Sequence, residues 1–242
     1  MPETRMNAAV SASLREKTPA RPLWVTIEGI NGVGKTTAAR AVAARLGERC
    51  LLLDEITDQV RNTLTGRVIS VLAARDPVCL RTGHPVAETL ALLALKIREA
   101  ELLIGLPVTP EVVIEDRGVD TVAVYQAAIL CEQVPDADPA HVVRHILATM
   151  SPWLPRPDAT VLLTGDFQLC IQRFADRIER TLTPQDARVI EQADALYAGL
   201  AAAEPGRYTV IDTAGQPAAA IADVVGTIVQ DLAEQREGYR AA

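Results

Sequence analysis

The stretch that decides the fold is Leu-Trp-Val-Thr-Ile-Glu-Gly-Ile-Asn-Gly-Val-Gly-Lys-Thr-Thr, at residues 23–37. Its first five residues are apolar or β-branched and predict a buried strand, whereas the residues from Lys35 onward predict a helix. The glycine-rich turn between them matches the phosphate-loop pattern GxxxxGK[ST]. Because a strand precedes the turn and a helix follows it, we interpret the match as a site for a nucleoside triphosphate, and an accidental match as the weaker reading.

Each residue type in this turn has a chemical reason to be present. Glycines let the backbone curl so that successive N–H groups point at a polyphosphate. The helix that follows adds unsatisfied N–H groups and the positive end of its dipole. Lys35 can reach the outer phosphates, and the Thr36 hydroxyl can bind Mg²⁺. The residues predicted to contact the nucleoside triphosphate are Gly29, Asn31, Gly32, Val33, Gly34, Lys35, Thr36 and Thr37.

The overall composition limits the kind of partner. The chain has 242 residues and a formal net charge of −7, which argues against nucleic acid as the main partner because phosphate backbones select basic surfaces. There is no apolar run long enough to span a bilayer and no compact apolar signal at the start, so we expect a cytoplasmic protein without a membrane partner. The cysteines are scattered, without CxxC pairing, which favours free thiols.

Strand and helix patterns alternate through the rest of the chain. Further strands are predicted at 50–53, 111–116, 159–163 and 208–212. Helical spacing is found at 58–74, 86–104, 184–203 and 217–235. Five strands alternating with helices predict an α/β fold with a five-stranded parallel sheet and helices on both faces. We predict a disordered tail at 1–20 and a single domain at 21–242.

Charged residues stand where two of the predicted strands end. Asp54 and Glu55 follow the second strand, and Asp116 and Arg117 end the third. Parallel sheets bind ligands at the carboxyl ends of their strands, so both pairs are candidate site residues. Asp116 would hold Mg²⁺ together with Thr36. A solvated turn is the alternative for the first pair, and a surface ion pair is the alternative for the second.

Basic residues provide further candidates. Lys96 and Arg98 interrupt the apolar pattern of the helix at 86–104, and their side chains point either into a substrate cleft or past the core to water. Arg173, Arg177 and Arg180 are three or four residues apart in the most charged part of the chain. On one helix face they could present guanidinium groups to phosphates, although a solvated helix of alternating charge would have the same pattern.

Taken together, these motifs resemble the thymidylate kinase family of nucleoside monophosphate kinases over residues 23–229. Residues 28–37 are similar to the phosphate loop of the family. Residues 116–126, Asp-Arg-Gly-Val-Asp-Thr-Val-Ala-Val-Tyr-Gln, are similar to its DRxxDSxxAYQ signature, and residues 176–179 resemble the end of its lid. The resemblance implies a P-loop kinase fold with a short lid at about 172–183, ATP and Mg²⁺ as cofactors, and a small-molecule acceptor such as dTMP. Related kinases are often dimers, so a homodimer is possible.

The resemblance also implies roles for individual residues. The catalytic residues would be Lys35, Arg117, Arg173 and Arg177, which would neutralise the transferring phosphoryl group or close over it. The residues in contact with the acceptor would be Asp54, Glu55, Lys96, Arg117, Tyr125 and Gln126. Phosphoryl transfer suits such a site because it needs positioning and charge neutralisation more than covalent chemistry.

The sequence departs from the family pattern at the acceptor side. Asp54 stands where the family usually has the arginine of an Arg-Glu-Pro triplet, and Asn31 stands where the phosphate loop usually has an acid. Leu92 and Lys96 align with the phenylalanine and arginine near the base. An acid at position 54 would suit a kinase that acts on a hydroxyl of a nucleoside or other small metabolite, with Asp54 or Glu55 as base. That activity is the alternative prediction.

Overall fold

A computed structural model of the chain describes residues 21–134 and 136–241, and five strands in this part form one parallel sheet. The strands are β1 (Leu23–Glu28), β2 (Cys50–Leu53), β3 (Val112–Asp116), β4 (Ala159–Thr164) and β5 (Tyr208–Asp212). Their spatial order is β2-β3-β1-β4-β5. The predicted five-stranded parallel sheet is therefore confirmed. The predicted tail at 1–20 lies outside the described residues.

The central strand β1 positions the phosphate loop. It pairs with β3 up to Ile27 opposite Asp116, and with β4 up to Glu28 opposite Leu162. All residues of β1 and β3 are buried, as expected for strands covered by helices on both faces. The turn after β1 therefore opens between the carboxyl ends of β3 and β4, where an open parallel sheet binds its ligands.

The described residues form eight α-helices on the two faces of the sheet. They are α1 (Lys35–Leu46), α2 (Leu64–Leu72), α3 (Pro85–Ile104), α4 (Val119–Gln133), α5 (Pro139–Met150), α6 (Phe167–Arg177), α7 (Pro184–Ala203) and α8 (Ala218–Ala241). Helix α1 packs against α8, whereas α4 packs against α3, α5 and α7. The start of α7 agrees with its sequence, because Thr183 and Asp186 form a capping box. No helix in the described part of the chain is long and apolar enough to cross a membrane.

Helix α2 differs from the prediction of helical structure at 58–74. The Thr63 hydroxyl accepts the N–H of Gly66 at 3.0 Å, so the helix starts only at Leu64. A short 3₁₀ turn at Ile56–Asp58 precedes it. The apolar residues Val60 and Leu64 follow helical spacing and would be expected on the buried face, but both are exposed, and the buried face includes Thr65 and Gly66. Gly66 lies under the Val60 carbonyl, where an added Cβ would approach the oxygen to 2.2 Å.

The predicted lid segment at 172–183 has two parts. Its first half belongs to α6, which ends at Arg177, and residues 178–183 form an irregular connection to the capped start of α7. The helical part supports Phe174 in the core and leaves Arg173 and Arg177 exposed. Arg173 and Arg177 therefore project from the helix, whereas Arg180, which was expected on the same helix face, lies in the irregular connection because α6 ends at Arg177.

Candidate active site

The phosphate loop adopts a conformation that only glycine tolerates at several positions. Gly29, Gly32 and Gly34 have φ values of 135°, 81° and 105°. A Cβ on Gly29 would lie 2.3 Å from the carbonyl oxygen of Leu163 in β4, and a Cβ on Gly32 would lie 2.0 Å from that of Cys170 in α6. Gly29 and Gly32 are thus required both by their backbone angles and by the close approach of neighbouring backbone. The loop is held against β4 and α6.

Lys35, the first residue of α1, reaches back across the loop. Its Nζ atom donates a hydrogen bond to the Ile30 carbonyl oxygen at 2.6 Å, and its side chain is buried. Burial, together with the positive charge of Arg117, lowers the pKa of Lys35 from 10.5 to about 7, although Glu55 and Asp116 act in the opposite direction. A bound anion would stabilise the charged form of this amine, so the site favours an anion next to Lys35.

A cavity of about 320 Å³ lies over the loop. Its wall contains the predicted ATP contacts Gly32, Val33, Gly34, Lys35, Thr36 and Thr37. Arg173 and Arg177 of α6, the predicted lid arginines, contribute to the same wall. Thr213 and Gln216, which follow β5, were not predicted. Gly29 lies outside the wall, because its place is under β4, and Asn31 lines a second cavity instead.

Asp116 lies at the tip of β3, beside the start of α1. Both of its carboxylate oxygens are buried and neither has a hydrogen-bond partner among the described residues. Burial and the charge of Glu55 raise the pKa of Asp116, while the nearby Thr36 hydroxyl opposes this rise. A buried carboxylate without a partner is costly unless a cation compensates it. The oxygens of Asp116 and Thr36 are hard ligands of the kind that Mg²⁺ prefers, so this pair fits the predicted metal.

Arg117 is held in a fixed orientation next to Asp116. Its Nε atom lies 3.0 Å from Glu55 Oε2, and its Nη2 atom donates to Asn31 Oδ1. The centre of its guanidinium group lies 5.8 Å from the centroid of the Tyr125 ring. Burial is the largest single effect and opposes the charge of Arg117, but the combined attraction of Glu55, Asp116 and the nearby tyrosines outweighs it, so the pKa of the guanidinium is raised. Arg117 is therefore a permanent, preoriented positive charge.

A larger cavity of about 610 Å³ adjoins the first one. Near Arg117 its wall is polar and includes Asn31, Glu55 and Tyr125, whose hydroxyl donates to Asn31 Oδ1 at 3.2 Å. The predicted acceptor contact Gln126 also lines it and accepts a hydrogen bond from Thr89 at 3.0 Å. The remaining wall is largely apolar, with side chains from α3, α4, α6, the residue that follows α6 and the loop before α3: Pro77, Val78, Cys79, Leu80, Leu92, Val122, Phe174 and Ile178.

The two cavities meet at a shared boundary formed by Thr36, Thr37, Arg117 and Arg177. Both volumes lie in the range of small-molecule sites. A phosphorylated ligand in one cavity can therefore face a second ligand in the other across two guanidinium groups. Such an arrangement suits the transfer of a charged group between two bound molecules.

Two predicted acceptor contacts have positions that differ from the expectation. Asp54 is not part of the wall of the larger cavity; it lies 3.4 Å from the Arg40 guanidinium at the surface of α1. Lys96 borders the cavity, but its ammonium binds Glu99, Glu115 and the Arg117 carbonyl oxygen. Strand-end position and sequence spacing could not predict this, because the direction of each side chain depends on partners from other elements.

Several residues of the larger cavity were missed because their partners are distant in sequence. The segment 77–80 forms part of the wall and is tied down by Arg81, which binds Asp76 and, 105 residues along the chain, Asp186. Asp76, Cys79 and Asp186 lie close enough together to hold a metal ion. The Arg81 guanidinium already neutralises the two carboxylates, so we interpret the group as an ion-pair clamp.

The comparisons with known proteins agree with this geometry. The sequence model of the family described as thymidylate kinase matches residues 27–224. The chain is 27% identical to the thymidylate kinase of Trichlorobacter lovleyi, over 87% of this chain and 99% of that protein. It is 32% identical to the probable thymidylate kinase of Methanoculleus marisnigri, over 78% and 86% of the two chains.

The fold also resembles a solved structure of thymidylate kinase from Candida albicans. The TM-score is 0.60 at 19% identity, over 91% of this chain and 94% of that one. Such a likeness shows the fold alone. The family match, by contrast, spans the phosphate loop, the end of β3 and helix α6, the three parts that build the boundary between the two cavities. On that match, this chain belongs to the thymidylate kinase family.

Proposed function

We propose that this chain transfers the terminal phosphoryl group of ATP to the phosphate of a nucleoside monophosphate, with dTMP or a related nucleotide as acceptor. The observation that carries the proposal is the shared boundary of the two cavities, where Arg117 and Arg177 line both. Family membership supports the same reaction class, and the names of the relatives favour dTMP among the acceptors.

On the donor side, ATP would lie in the smaller cavity with its phosphates on the loop. The loop N–H groups and the N-terminus of α1 would bind the phosphate oxygens, and Lys35 would give up its contact with Ile30 to reach them. Thr36 and Asp116 would hold Mg²⁺, which neutralises phosphate charge when bound. Arg173 and Arg177 would stabilise the charge that develops on the transferring group.

On the acceptor side, a phosphate is already a nucleophile, so the reaction needs no general base. What it needs is relief of the repulsion between two anions, which Arg117 supplies from its fixed position beside Glu55. Tyr125 would lie near the sugar, and the apolar wall that contains Leu92 would contact the base. Asn31 would orient both Arg117 and Tyr125 through its side-chain oxygen.

The alternative of a hydroxyl kinase is not favoured. Asp54, the first candidate base, does not belong to the wall of the larger cavity. Glu55 does line that cavity, and its burial tends to raise its pKa, but Arg117 and Lys35 lower the pKa of Glu55 below its ordinary value. A carboxylate that is paired in this way is a weak base for a hydroxyl proton.

The test is a panel of acceptors with ATP and Mg²⁺, in which ADP formation and the phosphorylated product are both measured. The panel contains dTMP, other nucleoside monophosphates and the matching nucleosides. We expect monophosphates to be converted to diphosphates and nucleosides to remain unchanged, with no transfer by the Lys35→Ala variant. Phosphorylation of a nucleoside in preference to its monophosphate would overturn the proposal, and so would the absence of transfer to every acceptor.

A further inference from the structure

We infer that Lys96 is a positioning residue, which holds the backbone of Arg117 and does not contact the acceptor. The inference rests on the proposed function, because Arg117 is there the residue that binds the acceptor phosphate. The inference itself concerns how α3 keeps Arg117 in place.

The backbone of Arg117 is in the left-handed region, with φ 67°. For a residue with a Cβ this conformation is strained, and it persists where the surroundings hold it. Three contacts do so here. The N–H of Arg117 donates to the Ile27 carbonyl oxygen at 3.2 Å, the N–H of Gly118 donates to Glu28 Oε1 at 2.8 Å, and the carbonyl oxygen of Arg117 accepts from Lys96 Nζ at 2.7 Å. Lys96 therefore supplies one of the three restraints on this peptide.

The ammonium of Lys96 has no donor left for a substrate. It has three N–H groups, and these meet Glu99 Oε2 at 2.9 Å, Glu115 Oε1 at 2.9 Å and the Arg117 carbonyl oxygen at 2.7 Å. The residue is only 2% exposed. A side chain that recognised the base would need a donor aimed into the cavity, whereas each donor of Lys96 already has a protein acceptor.

The carboxylate partners anchor Lys96 between α3 and β3. Glu99 lies one turn further along α3, whereas Glu115 lies in β3, directly before Asp116 and Arg117. Glu115 is itself fixed, since its second oxygen accepts from Trp24 Nε1 at 2.8 Å. Lys96 thus connects the long helix under the acceptor cavity to the strand end that carries Arg117.

Loss of Lys96 is expected to displace the Arg117 peptide and, with it, the guanidinium group. The Arg117 side chain reaches Glu55 and Asn31 from that peptide. Misplacement by about 1 Å can lower a rate by about 10²-fold. All acceptors share the phosphate that Arg117 contacts, so the loss should be the same for every base.

A double-mutant cycle tests this link. The variants are Lys96→Met, Arg117→Ala and the two combined, each assayed with ATP and several nucleoside monophosphates. We expect Lys96→Met to lower kcat/KM by about 10²-fold for each acceptor equally, and to add nothing in the Arg117→Ala background. The matched control is Arg98→Met, which removes a cation of the same helix outside both cavities and should leave kcat/KM unchanged.

Lys96→Met leaves two buried carboxylates unpaired and can prevent folding. A second variant therefore combines Lys96→Met with Glu99→Gln and Glu115→Gln, so that no charge is left uncompensated. It should fold, retain its secondary structure by circular dichroism, and show the same loss with every acceptor.

Two kinetic outcomes would overturn the inference. Additive losses from Lys96→Met and Arg117→Ala would mean that Lys96 acts independently of Arg117. A loss of kcat/KM that differs between bases would mean that Lys96 contacts the acceptor directly.

An NMR measurement separates this inference from the proposed function. The Arg117 Nε–H resonance, assigned by its absence in Arg117→Ala, should shift in nucleotide-free Lys96→Met and stay in place in Arg98→Met. If the wild-type chain transfers no phosphoryl group but this shift is seen, the proposed function fails while the positioning role remains. An unchanged resonance would refute the positioning role alone.

Discussion

ATP binding is expected to charge Lys35 by proton uptake. The pKa of Lys35 is lowered from 10.5 to about 7 because the amine is buried, with the positive charge of Arg117 adding to the effect. A shift of this size corresponds to a penalty of about 5 kcal/mol for the charged form. The phosphates would offset that penalty, so bound ATP should return the pKa of Lys35 towards its ordinary value.

The magnitude of this uptake follows from the pKa. At pH 8 only about a tenth of Lys35 carries a proton before binding, so saturation with ATP and Mg²⁺ should take up about 0.9 proton per chain. For the same reason the affinity for ATP should fall by about tenfold for each pH unit above 7. Isothermal titration calorimetry in buffers of different ionisation enthalpy measures the number of protons directly.

The control for this measurement is Lys35→Arg, whose guanidinium is charged throughout this pH range. Glu28, whose pKa is raised to about 7 by burial and by the charge of Asp120, is present in both proteins. Equal proton uptake by the wild type and by Lys35→Arg would refute the reasoning, because Lys35 would then be charged before ATP binds.

The lowered pKa of Lys35 also makes the stability of the folded protein depend on pH. Lys35 binds fewer protons in the folded than in the unfolded protein between pH 7 and 10.5. The ligand-free protein should therefore gain stability from Lys35 as the pH rises through that window. Urea unfolding should show that the difference in free energy of unfolding between Lys35→Met and the wild type shrinks by about 4 kcal/mol between these pH values. A constant difference would contradict the assigned pKa.

Three further substitutions test other parts of the site. Gly32→Ala must displace the loop or α6 by about 1 Å and should lower kcat/KM for ATP by about 10²-fold. The control is Gly47→Ala, a position with φ 59° and no described atom near the added Cβ, which should cost only about 1 kcal/mol of stability. Equal kinetic effects of these two would contradict the packing argument. Asp116→Asn should raise the Mg²⁺ concentration needed for half-maximal activity by about tenfold or more, and an unchanged requirement would exclude it as a ligand. Asp54→Ala should change turnover by less than about threefold, because its pair with Arg40 is exposed; a loss of several orders of magnitude would support the hydroxyl kinase instead.

The sequence by itself determined the elements and the positions of the residues that we propose for the donor side. Strand and helix periodicities are local, and so are the loop glycines and the Thr183 cap, so the order of elements and the parallel sheet could be predicted from short stretches. Lys35 and Thr36 take their positions from the turn and the helix start that contain them. Asp116 ends a strand beside β1, and the rule for strand ends in parallel sheets placed it correctly next to the loop.

Only the tertiary structure decided the acceptor side, where side-chain direction depends on partners far along the chain. Asp54 and Glu55 are adjacent in sequence, yet Asp54 lies near Arg40 and only Glu55 lines the larger cavity beside Arg117. Lys96 was expected to face either a substrate or water, but two carboxylates and a carbonyl take all three of its donors. The physical reason is that a buried charge must be paired, and the identity of its partners depends on which elements the fold brings together.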